Sequence, residues 1–257
     1  MSLLKTDNIT MQFGGLTAVN EFYIEIEPGE IVGLIGPNGA GKTTVYNMIT
    51  GIYIPTEGDI FFEEEKITGL KPDQIARKGI ARTFQNIRLL KNLSVLDNVM
   101  IGTHLRLQSG LFSAILRMPG YKNEEEKLYQ KAYELLERVE LNEYANEKAG
   151  NLPYGQQRKL EIARALATDP ELLLLDEPAA GMNPQESREL VDFIRQIRDE
   201  FQVTIFLIEH DMKVVMEICE RILVLDYGVT IAEGKPEEIK NNPEVIKAYL
   251  GVDVVNA

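Results

Sequence analysis

The segment Gly36-Pro37-Asn38-Gly39-Ala40-Gly41-Lys42-Thr43 narrows the possible folds of this chain more than any other feature. It follows the short β-branched run Ile31–Ile35 and opens a helical pattern from Lys42 to about Thr50, which Gly51 stops. Strand, glycine turn and helix, with Lys and Thr closing the turn, fit the spacing G-x-x-x-x-G-K-[ST]. Glycines let backbone N–H groups converge on phosphate oxygens where side chains would block the approach. The helix start adds the positive end of its dipole to the same anion site. Gly36 through Thr44 is therefore the candidate cradle for ATP, with Lys42 placed to reach the β- and γ-phosphates and the Thr43 hydroxyl a candidate Mg²⁺ ligand.

The rest of the chain alternates in a way that suits such a loop. Leu3–Phe13, Phe22–Ile26, Gly58–Phe62 and Ile80–Phe84 read as strands, and Pro72–Lys78 as a Pro-led helix. From about Ser94 to Ala167 the character turns helical. Ser94 caps one helix, with Asp97 as a first-turn acid. Asn123–Val139 carries Leu128, Ala132, Leu135, Leu136 and Val139 at helical spacing. Gly102–Lys122 between them is loop-like. Alternation then resumes with strands at Leu172–Leu175, Val203–Ile208, Ile222–Leu225 and Val229–Ala232. Helices at Pro184–Glu200, Met212–Cys219, Pro236–Lys240 and Pro243–Leu250 lie between and after them. The expected fold is α/β, a P-loop NTPase core with a mostly parallel sheet, an antiparallel β layer and an inserted helical subdomain. The expected division is residues 1–89 with 168–257 as catalytic core, and 90–167 as the helical part, within one domain spanning 1–257.

The leucines Leu172–Leu175 lead straight into Asp176-Glu177-Pro178. A buried strand would deliver both carboxylates at the C-terminal edge of the sheet, where ligands bind in parallel sheets. Neighbours on a strand point opposite ways, so the two acids are expected to divide the work. Asp176 would orient the Mg²⁺ shell and Glu177 would act as general base on water.

Composition closes off other classes. The net charge of −13 argues against nucleic acid as the main partner, because phosphate binding needs a basic footprint. Apolar runs such as Leu172–Leu175 are too short to span a bilayer, so a membrane role would pass through a partner. The single cysteine, Cys219, allows no internal disulfide and reads as a buried small hydrophobe. With no secretory leader, a reducing cytoplasm is the expected compartment.

Taken in order, these motifs resemble the nucleotide-binding subunit of an ATP-binding-cassette transporter over nearly the whole chain. Gln85 in Arg82-Thr-Phe-Gln85 stands at the position of the glutamine that touches Mg²⁺ and the membrane partner. Leu152-Pro-Tyr-Gly155-Gln156-Gln157 is similar to the signature motif, which makes Gly155 and Gln156 candidate nucleotide contacts at a helix starting at Gln156. Ala180-Gly-Met-Asn183 falls at the D-loop, and His210 at the switch histidine that contacts the γ-phosphate. Phe13 matches the aromatic that stacks on adenine. The resemblance implies catalytic roles for Lys42, Gln85, Glu177 and His210, and metal contacts for Thr43, Gln85 and Asp176. The cofactors it implies are ATP and Mg²⁺.

The run Pro-Tyr-Gly-Gln-Gln-Arg-Lys-Leu-Glu-Ile-Ala-Arg, the run Ile-Glu-His-Asp-Met-Lys, and the tail Asn-Asn-Pro-Glu-Val-Ile-Lys-Ala-Tyr-Leu-Gly are similar to the branch that powers branched-chain amino acid importers. The implied partners are a second ATP-binding subunit (a paralogue or another copy) in an ATP sandwich, two transmembrane permease subunits, and indirectly an extracytoplasmic binding protein. The implied location is peripheral, on the cytoplasmic membrane face. A urea or amide importer, a lipid or lipopolysaccharide exporter, a non-transport cassette acting on nucleic acid, and a phosphate-loop kinase are the competing readings. The usual signature, Leu-Ser-Gly-Gly-Gln, is altered: Pro153 and Tyr154 fill its second and third positions, and Pro153 offers neither hydroxyl nor N–H. Asn183 replaces the D-loop aspartate.

Overall fold

The computed structural model describes residues 1–103 and 119–250. The chain divides into two compact units, one made of Met1–Arg82 with everything from Glu171 onward, the other of Thr83–Pro170.

The first unit holds two sheets. Strands β1 (Leu4–Phe13), β2 (Leu16–Ile26), β4 (Glu57–Phe62) and β5 (Glu65–Lys66) form an antiparallel sheet in the order β2-β1-β4-β5. Strands β3 (Ile31–Ile35), β6 (Ile80–Arg82), β7 (Leu172–Asp176), β8 (Thr204–Ile208), β9 (Arg221–Asp226) and β10 (Val229–Gly234) form the second, in the order β10-β9-β3-β8-β7-β6. All neighbours in it run parallel except the β9–β10 hairpin. Every residue of β3, β7 and β8 is buried, as continuous apolar runs in a sheet covered on both faces must be. Alternate residues of these strands (Val32 and Leu34, Leu172 and Leu174, Phe206 and Ile208) join Leu4, Phe22 and Phe62 of the antiparallel sheet in one core.

Helices α1 (Lys42–Ile49), α2 (Pro72–Arg77), α6 (Pro184–Phe201), α7 (Met212–Ile218), α8 (Pro236–Lys240) and α9 (Pro243–Leu250) belong to this unit. The second unit is helical, with α3 (Val95–Thr103), α4 (Pro119–Arg138) and α5 (Tyr154–Leu166). Ser94 caps α3 as expected, its Oγ accepting from the Asp97 N–H at 3.0 Å.

Several boundaries move for identifiable reasons. Among the described residues α4 runs from Pro119, so Pro119 and Gly120, expected in the loop, are helical. Residues 104–118 of the expected loop, His104 included, lie outside the described residues. β6 stops at Arg82, short of Phe84, because the Phe84 and Gln85 carbonyls accept from Arg158 of α5 at 2.8 Å each. α5 begins at Tyr154, two residues before its expected start, because Pro153 supplies a preset φ of −53° at the N-cap. Cys219 is buried beside Gly33, where a Cβ would stand 2.8 Å from its Sγ, and burial pushes its thiol pKa up.

Candidate active site

The loop after β3 takes a path that only glycine permits at two points. Gly36 has φ +151°, and a Cβ there would lie 2.0 Å from the Leu225 carbonyl oxygen. Gly41 has φ +106°, and a Cβ would lie 2.6 Å from the Ala18 oxygen. The first helical bond of α1 runs from the Val45 N–H to the Gly41 carbonyl at 3.0 Å. The N–H groups of Lys42, Thr43 and Thr44 thus precede the helical ladder and form an anion-attracting helix end. Lys42 is 7% exposed, and its Nζ donates to the Gly36 and Pro37 carbonyls at 2.7 and 3.0 Å. Burial holds this ammonium below the ordinary lysine value, while Glu177 and Asp176 pull it back up.

Thr17, Asn38, Lys42, Thr43, Glu177 and Tyr227 line an open cleft of about 420 Å³ over this loop. Gly36, Pro37, Asn38, Gly39, Ala40 and Gly41 form its turn, and Thr43 stands exposed on the first turn of α1. Phe13 lies at the tip of the β1–β2 hairpin, 42% exposed, with its ring edge-on to Tyr53 at 5.3 Å. Thr17, four residues further along that hairpin, lines the cleft.

The two carboxylates after β7 are separated by a mechanism other than strand alternation. β7 ends at Asp176, and Glu177 adopts φ +47°, a left-handed conformation that costs a non-glycine residue roughly 1 kcal/mol or more. Asp176 stays buried, its Oδ2 accepting from Arg82 Nη2 at 2.8 Å. Arg82 also donates to Asn47 at 2.7 Å and sits over the Tyr46 ring, which ties the carboxylate to α1. Glu177 turns instead into the cleft, and its Oε2 lies 3.5 Å from Nδ1 of His210, whose side chain is 57% exposed. His210 does not cap the helix behind it. Asp211 does, accepting from the Lys213 N–H at 2.8 Å.

Three groups escaped the sequence reading. Glu209 is fully buried and accepts main-chain N–H bonds from Ala179, His210 and Asp211; an acid ending an apolar strand was the available signal. Arg82 carried none, since its partner Asp176 is distant in sequence; Arg158 has Glu161 three residues on, but the Phe84 and Gln85 carbonyls it also holds are distant. Asn183, expected only to keep a polar side chain at the D-loop, is the N-cap of α6. It accepts from Gln185 and Glu186 N–H at 2.9 and 3.1 Å, and Glu186 returns a bond to its N–H.

Gln85, Gly155 and Gln156 fall in the second unit. Gln85 is exposed, and the Arg158–Glu161 pair holds the segment that carries it. Arg158 is fully buried, its guanidinium 2.8 Å from Glu161, and Glu161 accepts from the Arg88 N–H at 3.0 Å. At the start of α5 the first helical bond is Gln157 N–H to Pro153 carbonyl, so the N–H groups of Tyr154, Gly155 and Gln156 precede the ladder. The Gln156 side-chain oxygen is buried and finds no partner among the described residues.

A family model described as ABC transporter matches residues 19–180, a stretch running from β2 through the phosphate loop to the Asp176–Glu177 pair. The chain belongs to the ABC transporter family. It is an ATP-binding cassette, and cassettes hydrolyse ATP to power transport. A second model, the branched-chain amino acid ATP-binding cassette transporter, matches residues 229–255. The high-affinity branched-chain amino acid transport ATP-binding protein LivG of Escherichia coli K12 is 51% identical over 97% of this cassette and 98% of its own length. BraF of Pseudomonas aeruginosa, of the same description, is 48% identical over the same shares. The crystal structure of an ABC transporter cassette in its ADP conformation superposes with a TM-score of 0.86 at 34% identity, covering 98% of this cassette and all of the other. A dimeric post-hydrolysis cassette bound to ADP and Pi matches with a TM-score of 0.74 at 29% identity, over 91% and 98%. No helix among the described residues of this cassette is long and apolar enough to cross a membrane.

The donors at and beside the cassette's cleft suit a hard cation that keeps phosphate and water ligands. Thr43 offers a hydroxyl in the cleft, the buried Asp176 carboxylate lies beside it within electrostatic reach of Lys42 and bonded to Arg82, and among the described residues no cluster of three His, Cys, Asp or Glu builds a protein-only cage. That set fits Mg²⁺, which dehydrates reluctantly and is usually held by few protein oxygens beside a nucleotide.

Proposed function

We propose that this cassette energises uptake of branched-chain amino acids by hydrolysing MgATP at the cleft over Gly36–Thr44. The observation that carries the reading is the placement of Glu177. It projects into the same cleft as Lys42 and Thr43, with His210 at 3.5 Å. In the proposed reaction the loop N–H groups and Lys42 hold the β- and γ-phosphates. Thr43 and Asp176, and Gln85 as the family resemblance implies, would hold Mg²⁺, which would supply positive charge against the phosphates. Glu177 takes a proton from the attacking water as it bonds to the γ-phosphorus and the bond to the β-phosphate oxygen breaks, giving ADP and phosphate. His210 contacts the γ-phosphate, and Phe13 stacks on the adenine, a contact worth roughly 1–3 kcal/mol.

Each nucleotide would be completed by the signature helix of a second ATP-binding subunit, through the helix-start N–H groups at Gly155 and Gln156. The second unit, carrying Gln85 and α5, serves as the signature-bearing part. Two transmembrane permeases and an extracytoplasmic binding protein complete the system, with this chain peripheral on the cytoplasmic membrane face. The match of residues 229–255 to the branched-chain amino acid model supports that substrate class over urea, amides or lipids. Vesicles carrying the co-expressed complex should accumulate leucine, isoleucine or valine only with ATP inside on the cassette's face. Uptake of none of the three by an ATP-hydrolysing complex would refute the substrate assignment and leave the ATPase reading standing.

A further inference from the structure

We infer that Glu209 is a positioning residue that sets the distance between Glu177 and His210 by linking the two loops that carry them. The inference rests on the reading of Glu177 as the base. Parallel strands β7 and β8 end in register, with Asp176 opposite Ile208, so Glu177 and Glu209 begin neighbouring loops at the same edge of the sheet. The Glu177 N–H still donates to the Ile208 carbonyl at 2.8 Å; beyond it the chain turns left-handed and the ladder ends. Past that point the Glu209 side chain ties the two loops together. Oε1 accepts from the Ala179 N–H at 2.7 Å, two residues beyond Glu177, and Oε2 accepts from the His210 and Asp211 N–H groups at 3.0 and 3.3 Å.

A carboxylate with no exposed surface is expensive, and among the described residues no lysine or arginine lies against it. Burial raises the carboxyl pKa, and three main-chain N–H dipoles offset part of that cost. A hydroxyl at this position would cap the His210 turn alone; the two oxygens at the end of a glutamate side chain reach both loops. His210 Nδ1 lies 3.8 Å from Oε2 of Glu209 and 3.5 Å from Oε2 of Glu177, so the histidine is held between the buried acid and the one in the cleft. A base held to within a fraction of an ångström is what a water-activating step demands.

Glu209→Gln keeps the shape but turns an NH₂ toward one of the N–H groups. In the purified full-length chain we expect kcat for ATP hydrolysis to fall at least tenfold, with the Kd for ATP changed less than threefold. Because Glu209 acts through Glu177, adding Glu209→Gln to Glu177→Gln should lower the residual turnover less than threefold further. Glu209→Asp keeps the charge but cannot span both loops and should give an intermediate kcat at unchanged Kd; it carries the test if the glutamine variant does not fold. Wild-type kcat in either variant, or a full additional loss in the Glu177→Gln background, would overturn the inference. Normal turnover in Glu177→Gln alone would instead overturn the base assignment.

Discussion

Glu177 and Lys42 share one cleft, and each is set by a different local constraint. The acid faces outward because the chain turns left-handed as β7 ends. The lysine stays in because it donates to the carbonyls of its own loop. Replacing the base by an isosteric amide should remove proton transfer and leave the phosphate contacts. Glu177→Gln is therefore expected to lower turnover by roughly two decades or more while ATP binding persists, as a phosphate-release assay and equilibrium binding would report. The lysine yields a pH prediction with opposite signs for binding and folding. Its ammonium titrates below the ordinary lysine value of 10.5 because it is buried. As pH rises through that lowered value, nucleotide affinity weakens. Over the window up to 10.5 the unfolded chain holds more protons, so this residue's contribution to stability increases. ATP titrations and urea denaturation between about pH 8 and the ordinary lysine value should show the two trends diverging.

Among the elements, capping residues and buried pairs hold the loops that carry the site. Asn183 begins α6 just after the turn beyond Glu177, and its side chain satisfies two of the orphan N–H groups at that helix start. Asn183→Ala is expected to cost about 1 kcal/mol in urea denaturation with little change in ATP affinity. The Arg158–Glu161 pair plays the corresponding part in the second unit, joining α5 to the Gln85 segment through main-chain carbonyls and an N–H. That clamp is why residues 83 and 84 leave the strand that the β-rich sequence Ile80–Phe84 suggested. The largely apolar runs Leu172–Leu175 and Val203–Ile208 made β7 and β8 legible, since a run of that length and composition suits a strand buried on both faces. Their end points were not legible, because a left-handed residue such as Glu177 shows no signature in composition.

At the scale of the whole molecule, the cassette carries the loop Gly36–Thr44 in one unit and α5, the proposed signature helix, in the other. The dimeric relative bound to ADP and Pi shows the form in which a related cassette assembles. In the proposed dimer the signature of one subunit serves the nucleotide of the other. Here Pro153 removes the hydroxyl of the usual serine and leaves main-chain N–H groups as the donors. Pro153→Ser should strengthen ATP-driven dimerisation and raise turnover at the composite site that uses this signature, measured by size-exclusion chromatography with ATP and by ATPase rate. Unchanged values in both would show that Pro153 does not weaken that site.

The sequence alone determined the order of the motifs along the chain and the candidate cradle, base and switch positions, because each depends on neighbours within a few residues. Gly36 and Gly41 are required wherever a loop must turn its N–H groups inward, and a four-leucine strand can only deliver the residues after it to a sheet edge. The tertiary structure decided which long-range partner each charge would take. Arg82 meets Asp176 from 94 residues away, and Glu209 meets Ala179 from 30. Such pairings depend on which strands lie side by side, and strand order is settled by how the whole sheet buries its faces, an outcome no local segment encodes.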